Sequence, residues 1–154
     1  MTDTTTLTRS PLSWTTLRST CEELGEGVFV ASVQADGRPH VAWVMHGWHH
    51  HQLWFATFRH SQKALNLRHH GEIALHWPQR PDAIVFGRAT TRLVDDPAEA
   101  AALWDASVVP YDLADFFGTK DNPELLLVEV IPTSMSIQSL DPAVAARRWT
   151  PDQD

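Results

Sequence analysis

Six consecutive apolar and β-prone residues, Leu53 to Phe58 (LWFATF), are followed three positions later by Ser61 and the segment QKALNLR. A helix needs about twice the length of that apolar run, so it reads as a strand buried on both faces. Ser61 then reads as a helix N-cap, the residues after it are mostly good helix formers, and Gly71 is a suitable stop before the next strand, EIALHW. The chain is thereby committed to strand, short loop, helix and strand between Leu53 and Trp77. The chemistry follows from the helix start. Its first turn leaves backbone N–H groups unpaired at the positive end of the helix dipole, where an anion is stabilised. Lys63 in that turn opposes the dipole unless an anion is present. Thr57 and Ser61 would add hydroxyl donors, so the pattern marks a phosphate-binding corner.

The elements on either side are mainly β. Gly27–Val33 and His40–Trp48 flank a turn at Asp36, Gly37 and Pro39, which is a hairpin signature, and His49, His50 and His51 form the tip of the next hairpin. Ala83–Val94 and Leu125–Ile131 are further strands, the latter with an extension over Ser134–Leu140 past Pro132. Helices are expected from Ser13, where Trp14, Leu17, Cys21 and Leu24 share one face, and over Pro97–Val109. Six or more mostly antiparallel strands with about three helices give a mainly β fold, a barrel with helical additions. With 154 residues and 43% hydrophobic content the chain suits one domain. The expected division is a flexible tail over 1–12, the barrel domain over 13–140 and a C-terminal tail over 141–154.

A formal charge of −7 without a basic block argues against a nucleic-acid partner. No apolar run reaches membrane-spanning or signal-peptide length, and Cys21 stands alone, so a cytoplasmic protein is expected. All nine histidines lie between His40 and His76. Successive residues of a strand face opposite sides, so the three at the hairpin tip cannot converge on one ion, and no metal site is expected. No nucleophile elbow, Gly-rich phosphate loop or CxxC is present.

Trp54, Phe55, Thr57, Ser61, Lys63, Asn66 and Leu67, followed by EIALHW and flanked by GRPHVAWVMHGW and IVFGRATTRLVDDPAEAAALW, resemble the flavin-binding split-barrel family related to pyridoxamine 5′-phosphate oxidase. The resemblance covers about Val28 to Trp104. It implies an FMN-binding split barrel, a homodimer with the cofactor at its interface, and a cofactor site drawn from His46, Phe55, Ala56, Thr57, Ser61, Gln62, Lys63 and Trp77. It also implies an FMN-dependent oxidoreductase that passes hydride to or from a small molecule; deazaflavin F420, haem or a non-enzymatic flavin-binding module are the alternatives. Two departures argue against oxidation of a B6 vitamer itself. Where the family has an Arg and a Lys five residues apart, this chain has Val41 and His46, and only Arg147, Arg148 and Trp149 stand in for the family's C-terminal substrate arm. If His46 lies beside the cofactor, protonation of its ring would strengthen binding of an anionic ligand as pH falls.

Overall fold

The computed structural model describes residues 11–106, 109 and 111–153. Helix α1 (Trp14–Leu24) opens it, capped by the Ser13 hydroxyl, which accepts a hydrogen bond from the Thr16 amide. Its apolar stripe of Trp14, Leu17 and Cys21 is buried. Strands β1 (Gly27–Val33) and β2 (Pro39–Met45) form the first hairpin. Its turn uses Gly37 at φ 88, a left-handed conformation that glycine adopts without a side-chain clash. The expected strand over His40–Trp48 is broken at His46: β2 ends at Met45, and a separate short strand, β3 (Gly47–His49), pairs with β4 (Gln52–Phe58).

The anticipated helix and strand follow as α2 (Gln62–His69) and β5 (Glu72–His76), then β6 (Ile84–Val94) and α3 (Pro97–Ala106). The expected α3 boundary at Val109 changes: Val109 is not helical, and residues 107 and 108 lie outside the described residues. A four-residue helix, α4 (Ala114–Phe117), precedes β7 (Leu125–Gln138). β7 runs unbroken through Pro132 because the strand is irregular there. Arg88 faces Ser134 and Ala89 faces Pro132, so Thr133 is the extra residue of a bulge. A bulge is one of the few places in a sheet where the missing proline N–H removes no ladder bond.

The strands make one curled antiparallel sheet in the order β2-β1-β5-β6-β7-β4-β3, a split-barrel architecture with four α-helices among the described residues. An eighth strand, β8 (Arg147–Trp149), pairs with β7. The expected tail over 141–154 therefore includes a paired strand, and Trp149 is buried with its ring centroid 4.8 Å from that of Trp14, tilted at 52°. Leu12, placed by the sequence in the N-terminal tail, is also buried, and Pro11 bridges to Arg148. Residues 1–10 lie outside the described residues.

β4 is buried on both faces, as its apolar run requires. Phe55 and Leu53 join the main core with Val28, Val30, Leu75, Val85, Val128 and α1. Trp54 faces the other way and packs with Val94, Leu103, Leu113, Leu125 and Leu127 under α3 and α4. The outer face of the β1–β2 hairpin has no such cover. Phe29 and Trp43, paired across the hairpin, are 42% and 51% exposed, and Val41 is 63% exposed. Among the described residues no helix is long and apolar enough to cross a membrane.

Candidate functional site

The turn between β4 and α2 is built as the sequence implies. Ser61 caps α2, its hydroxyl oxygen accepting a hydrogen bond from the Ala64 amide at 3.2 Å. The Ser61 carbonyl accepts the Leu65 amide, while the Gln62 and Lys63 amides are bonded to no backbone carbonyl, the usual state of a helix's first turn. Thr57 at the end of β4 is buried, and its hydroxyl lies 3.0 Å from that of Ser61. α2 is anchored behind this corner by buried Asn66, whose amide donates to the Ser32 hydroxyl at 2.9 Å.

A cavity of about 210 Å³ opens on the corner, lined by Ala56, Thr57, Phe58 and Lys63 with Trp43, Val44 and Met45 of β2 and the aromatic rings of Tyr111, Phe116 and Phe117. Lys63 is the single charged side chain in that lining and forms no ion pair among the described residues. Burial pushes its ammonium pKa below the ordinary lysine value. The neighbouring cations are already engaged: Arg59 contacts Asp95 at 2.7 Å and Arg68 contacts the same carboxylate at 3.1 Å. A desolvated ammonium, the one hydroxyl proton that the Thr57–Ser61 hydrogen bond leaves over, and helix-start amides without a backbone partner together suit a bound anion.

Of the residues expected to hold a cofactor, Ala56, Thr57 and Lys63 share this cavity, and Ser61 is tied to it through Thr57. Gln62 is exposed and donates to the Asn66 side-chain oxygen at 2.8 Å. Phe55 lies in the main core. His46 and Trp77 meet each other instead: the Trp77 indole N–H donates to His46 Nε2 at 3.0 Å, and both residues are buried. His46 lines a different cavity, and burial lowers its pKa to about 4. Its ring is neutral near pH 7, so any strengthening of anion binding by His46 protonation is moved to lower pH.

Sequence reasoning missed Trp43, Met45 and the aromatic group Tyr111, Phe116 and Phe117. The first two were legible as one face of an alternating strand, residues 41, 43 and 45. Of the last three, Tyr111 comes from the α3–α4 connection and Phe116 and Phe117 from α4 itself, whose placement the local sequence does not specify. The histidine-rich tip is a turn in which His50 adopts φ 52. Among the described residues no group of three or more His, Cys, Asp or Glu side chains is arranged to hold a metal ion.

Comparison with known proteins bears on the same elements. Residues 25–137 match the sequence model of the family described as pyridoxamine 5′-phosphate oxidase, a span that runs from the end of α1 through β7. No curated protein matches significantly. Among solved structures, a pyridoxamine 5′-phosphate oxidase-related, FMN-binding protein from Nostoc punctiforme superposes with a TM-score of 0.66 at 18% identity, covering 94% of this chain and 95% of its own. A heme-binding protein from Mycobacterium smegmatis gives 0.71 at 15% identity, covering 94% of this chain and 60% of its own. An F420 reductase gives 0.56 at 25% identity, covering 75% of this chain and 94% of its own. The matched segment contains the whole Thr57–Lys63 corner and strands β1 to β6 with nearly all of β7, and on that match the chain belongs to the pyridoxamine 5′-phosphate oxidase family.

Proposed function

We propose that this protein binds a phosphorylated flavin-type cofactor, FMN in the first reading, and acts as a homodimeric oxidoreductase on a small molecule. One observation carries the reading. Lys63 stands half-buried and without an anionic partner among the described residues, in the first turn of a helix whose dipole opposes it. Its ammonium, the Thr57 and Ser61 hydroxyls and the free amides of the first turn would hold the phosphate. Trp43, Met45 and Ala56 would give the cavity apolar walls that exclude water. When bound, the isoalloxazine supplies the hydride chemistry, so the protein need contribute only position and electrostatics.

The dimer is supported by continuity between surface and site. Trp43 belongs both to the cavity lining and to the uncovered apolar face with Phe29 and Val41. A second subunit on that face would cover these side chains and border the cavity. Exposed apolar patches of this kind are what stable interfaces bury.

F420 is the second reading, favoured by the 25% identity to an F420 reductase and by the phosphate that both ligands carry. Absorption spectra of the purified protein with FMN, F420 or haem distinguish flavin, deazaflavin and Soret signatures. Turnover with NAD(P)H or reduced F420 separates enzyme from binder. Lys63→Ala is expected to weaken binding of the phosphorylated ligand by about 1.5–3 kcal/mol, the scale of a hydrogen bond to a charged group. No detectable affinity for FMN or F420, or an affinity unchanged in Lys63→Ala, overturns the proposal.

A further inference from the structure

Val41, Trp43 and Met45 share one face of β2, and the last two line the Lys63 cavity. In the hairpin register Trp43 stands opposite Phe29, while Gly27 stands opposite Met45, one step along the same side. The indole leans along the strands onto that glycine: a Cβ built at Gly27 would overlap Cζ2, Cε2 and Nε1 of the Trp43 ring. Diagonal neighbours across a hairpin are within reach of a large aromatic side chain, and here the missing Cβ leaves the indole its seat. Gly27 is buried, yet the tryptophan remains 51% exposed.

The other aromatic rings of the cavity are partnered among themselves. Tyr111 meets Phe116 edge-to-face at 6.1 Å, Phe116 meets Phe117 at 6.4 Å, and Phe117 meets Phe58 at 5.1 Å. Among the described residues Trp43 makes no ring–ring and no cation–π contact. An indole that is seated on one side, open on the rest and unpartnered in an aromatic-lined cavity offers a planar group a stacking surface, an arrangement worth more than its buried area alone. Lys63 is the one charged side chain of the same lining, so a single molecule can meet both, its anionic end at the ammonium and a planar ring at the indole.

We propose that Trp43 is a specificity-determining residue of this cavity, selecting ligands with a planar aromatic ring by stacking on that ring, and that Gly27 is the positioning residue that seats it. The inference rests on the phosphate reading of Lys63 for the ligand's orientation and adds what recognises its other end.

Three probes divide the ligand: FMN carries ring and phosphate, riboflavin the ring without phosphate, and ribose 5-phosphate the phosphate without the ring. In calorimetric titrations of the full chain, Trp43→Ala should weaken FMN and riboflavin alike, by about tenfold, the upper value of an aromatic pair, and leave ribose 5-phosphate unchanged. Trp43→Phe should recover most of that loss. Lys63→Ala should weaken FMN and ribose 5-phosphate and leave riboflavin as it was. Gly27→Ala displaces only the far end of one exposed side chain, so it keeps the fold and the apolar character of the outer face; it should weaken both ring ligands and add nothing in a Trp43→Ala background. That variant keeps the proposal testable if Trp43→Ala changes the sedimentation or the folding of the protein. FMN held as tightly by Trp43→Ala as by the parent, ribose 5-phosphate weakened as much as FMN, or a Gly27→Ala effect that is the same with and without Trp43 overturns the stacking role. FMN that is weakened by Trp43→Ala but indifferent to Lys63→Ala overturns the phosphate reading alone, and a parent that binds none of the three probes overturns both.

Discussion

Acidification should destabilise this protein through His46 by an amount the structure sets. The ring is neutral and buried, with its pKa lowered from the ordinary 6.5 to about 4 by desolvation. Between those values the unfolded chain takes up a proton that the folded state refuses, so the folded state loses stability as pH falls. The contribution is fully present above about pH 6.5 and declines progressively toward pH 4. At 1.36 kcal/mol per pH unit, a window of about two and a half units is worth about 3 kcal/mol. His46→Gln keeps an oxygen to accept the Trp77 N–H but removes the titration. Urea unfolding at pH 7 and pH 4.5 should therefore show a fall in stability about 2.5 kcal/mol larger in the parent than in the variant, while the other eight histidines contribute alike to both. Equal losses in the two proteins, or a His46 ring resonance that titrates near 6.5, would refute the reasoning.

Other substitutions test other parts of the fold. Gly47→Ala places a methyl group 2.5 Å from Nε1 of fully buried Trp54, so it should cost about 1–3 kcal/mol in thermal or urea unfolding, whereas Gly37→Ala meets no neighbour and loses only its compatibility with φ 88. Asn66→Ala strands the buried Ser32 hydroxyl and frees α2 from β1; a loss of about 1–3 kcal/mol, with faster hydrogen exchange in α2, is expected. Trp43→Glu puts a charge on the uncovered face and should shift the sedimentation coefficient from dimer to monomer at micromolar concentration, with cofactor released alongside. A parent protein that sediments as a monomer while loaded with cofactor would end the dimer proposal.

The local features of the site were legible in the sequence where short-range chemistry decides them. Ser61, two residues before Lys63 and three after an apolar strand, caps α2 because a hydroxyl at that spacing reaches the Ala64 amide. The doubly buried β4 was legible because apolar residues fill both its alternating faces. What failed was whatever depends on distant partners. The burial of His46 against Trp77, which lowers its pKa to about 4, depends on contacts that the local sequence does not show. Arg147–Trp149 is too short and too polar to announce a strand; it becomes one because β7 continues past Pro132 and offers an edge, with Trp14 waiting to cover Trp149. The aromatic wall of the Lys63 cavity is likewise decided by where α4 lies over β4.

That last strand has a consequence for how the chain can be cut. Pro11 and Arg148 are bridged side by side, so the two ends of the folded unit meet at β8, which pairs with β7. The His50–His51 turn, by contrast, is an exposed tip. A gene rearranged to begin at His51, with a few glycines joining residue 149 to residue 11, asks the same strands to pair in a new order of synthesis and leaves every core contact available. Topologically, the barrel is closer to a ring opened at β8 than to a thread with a beginning and an end.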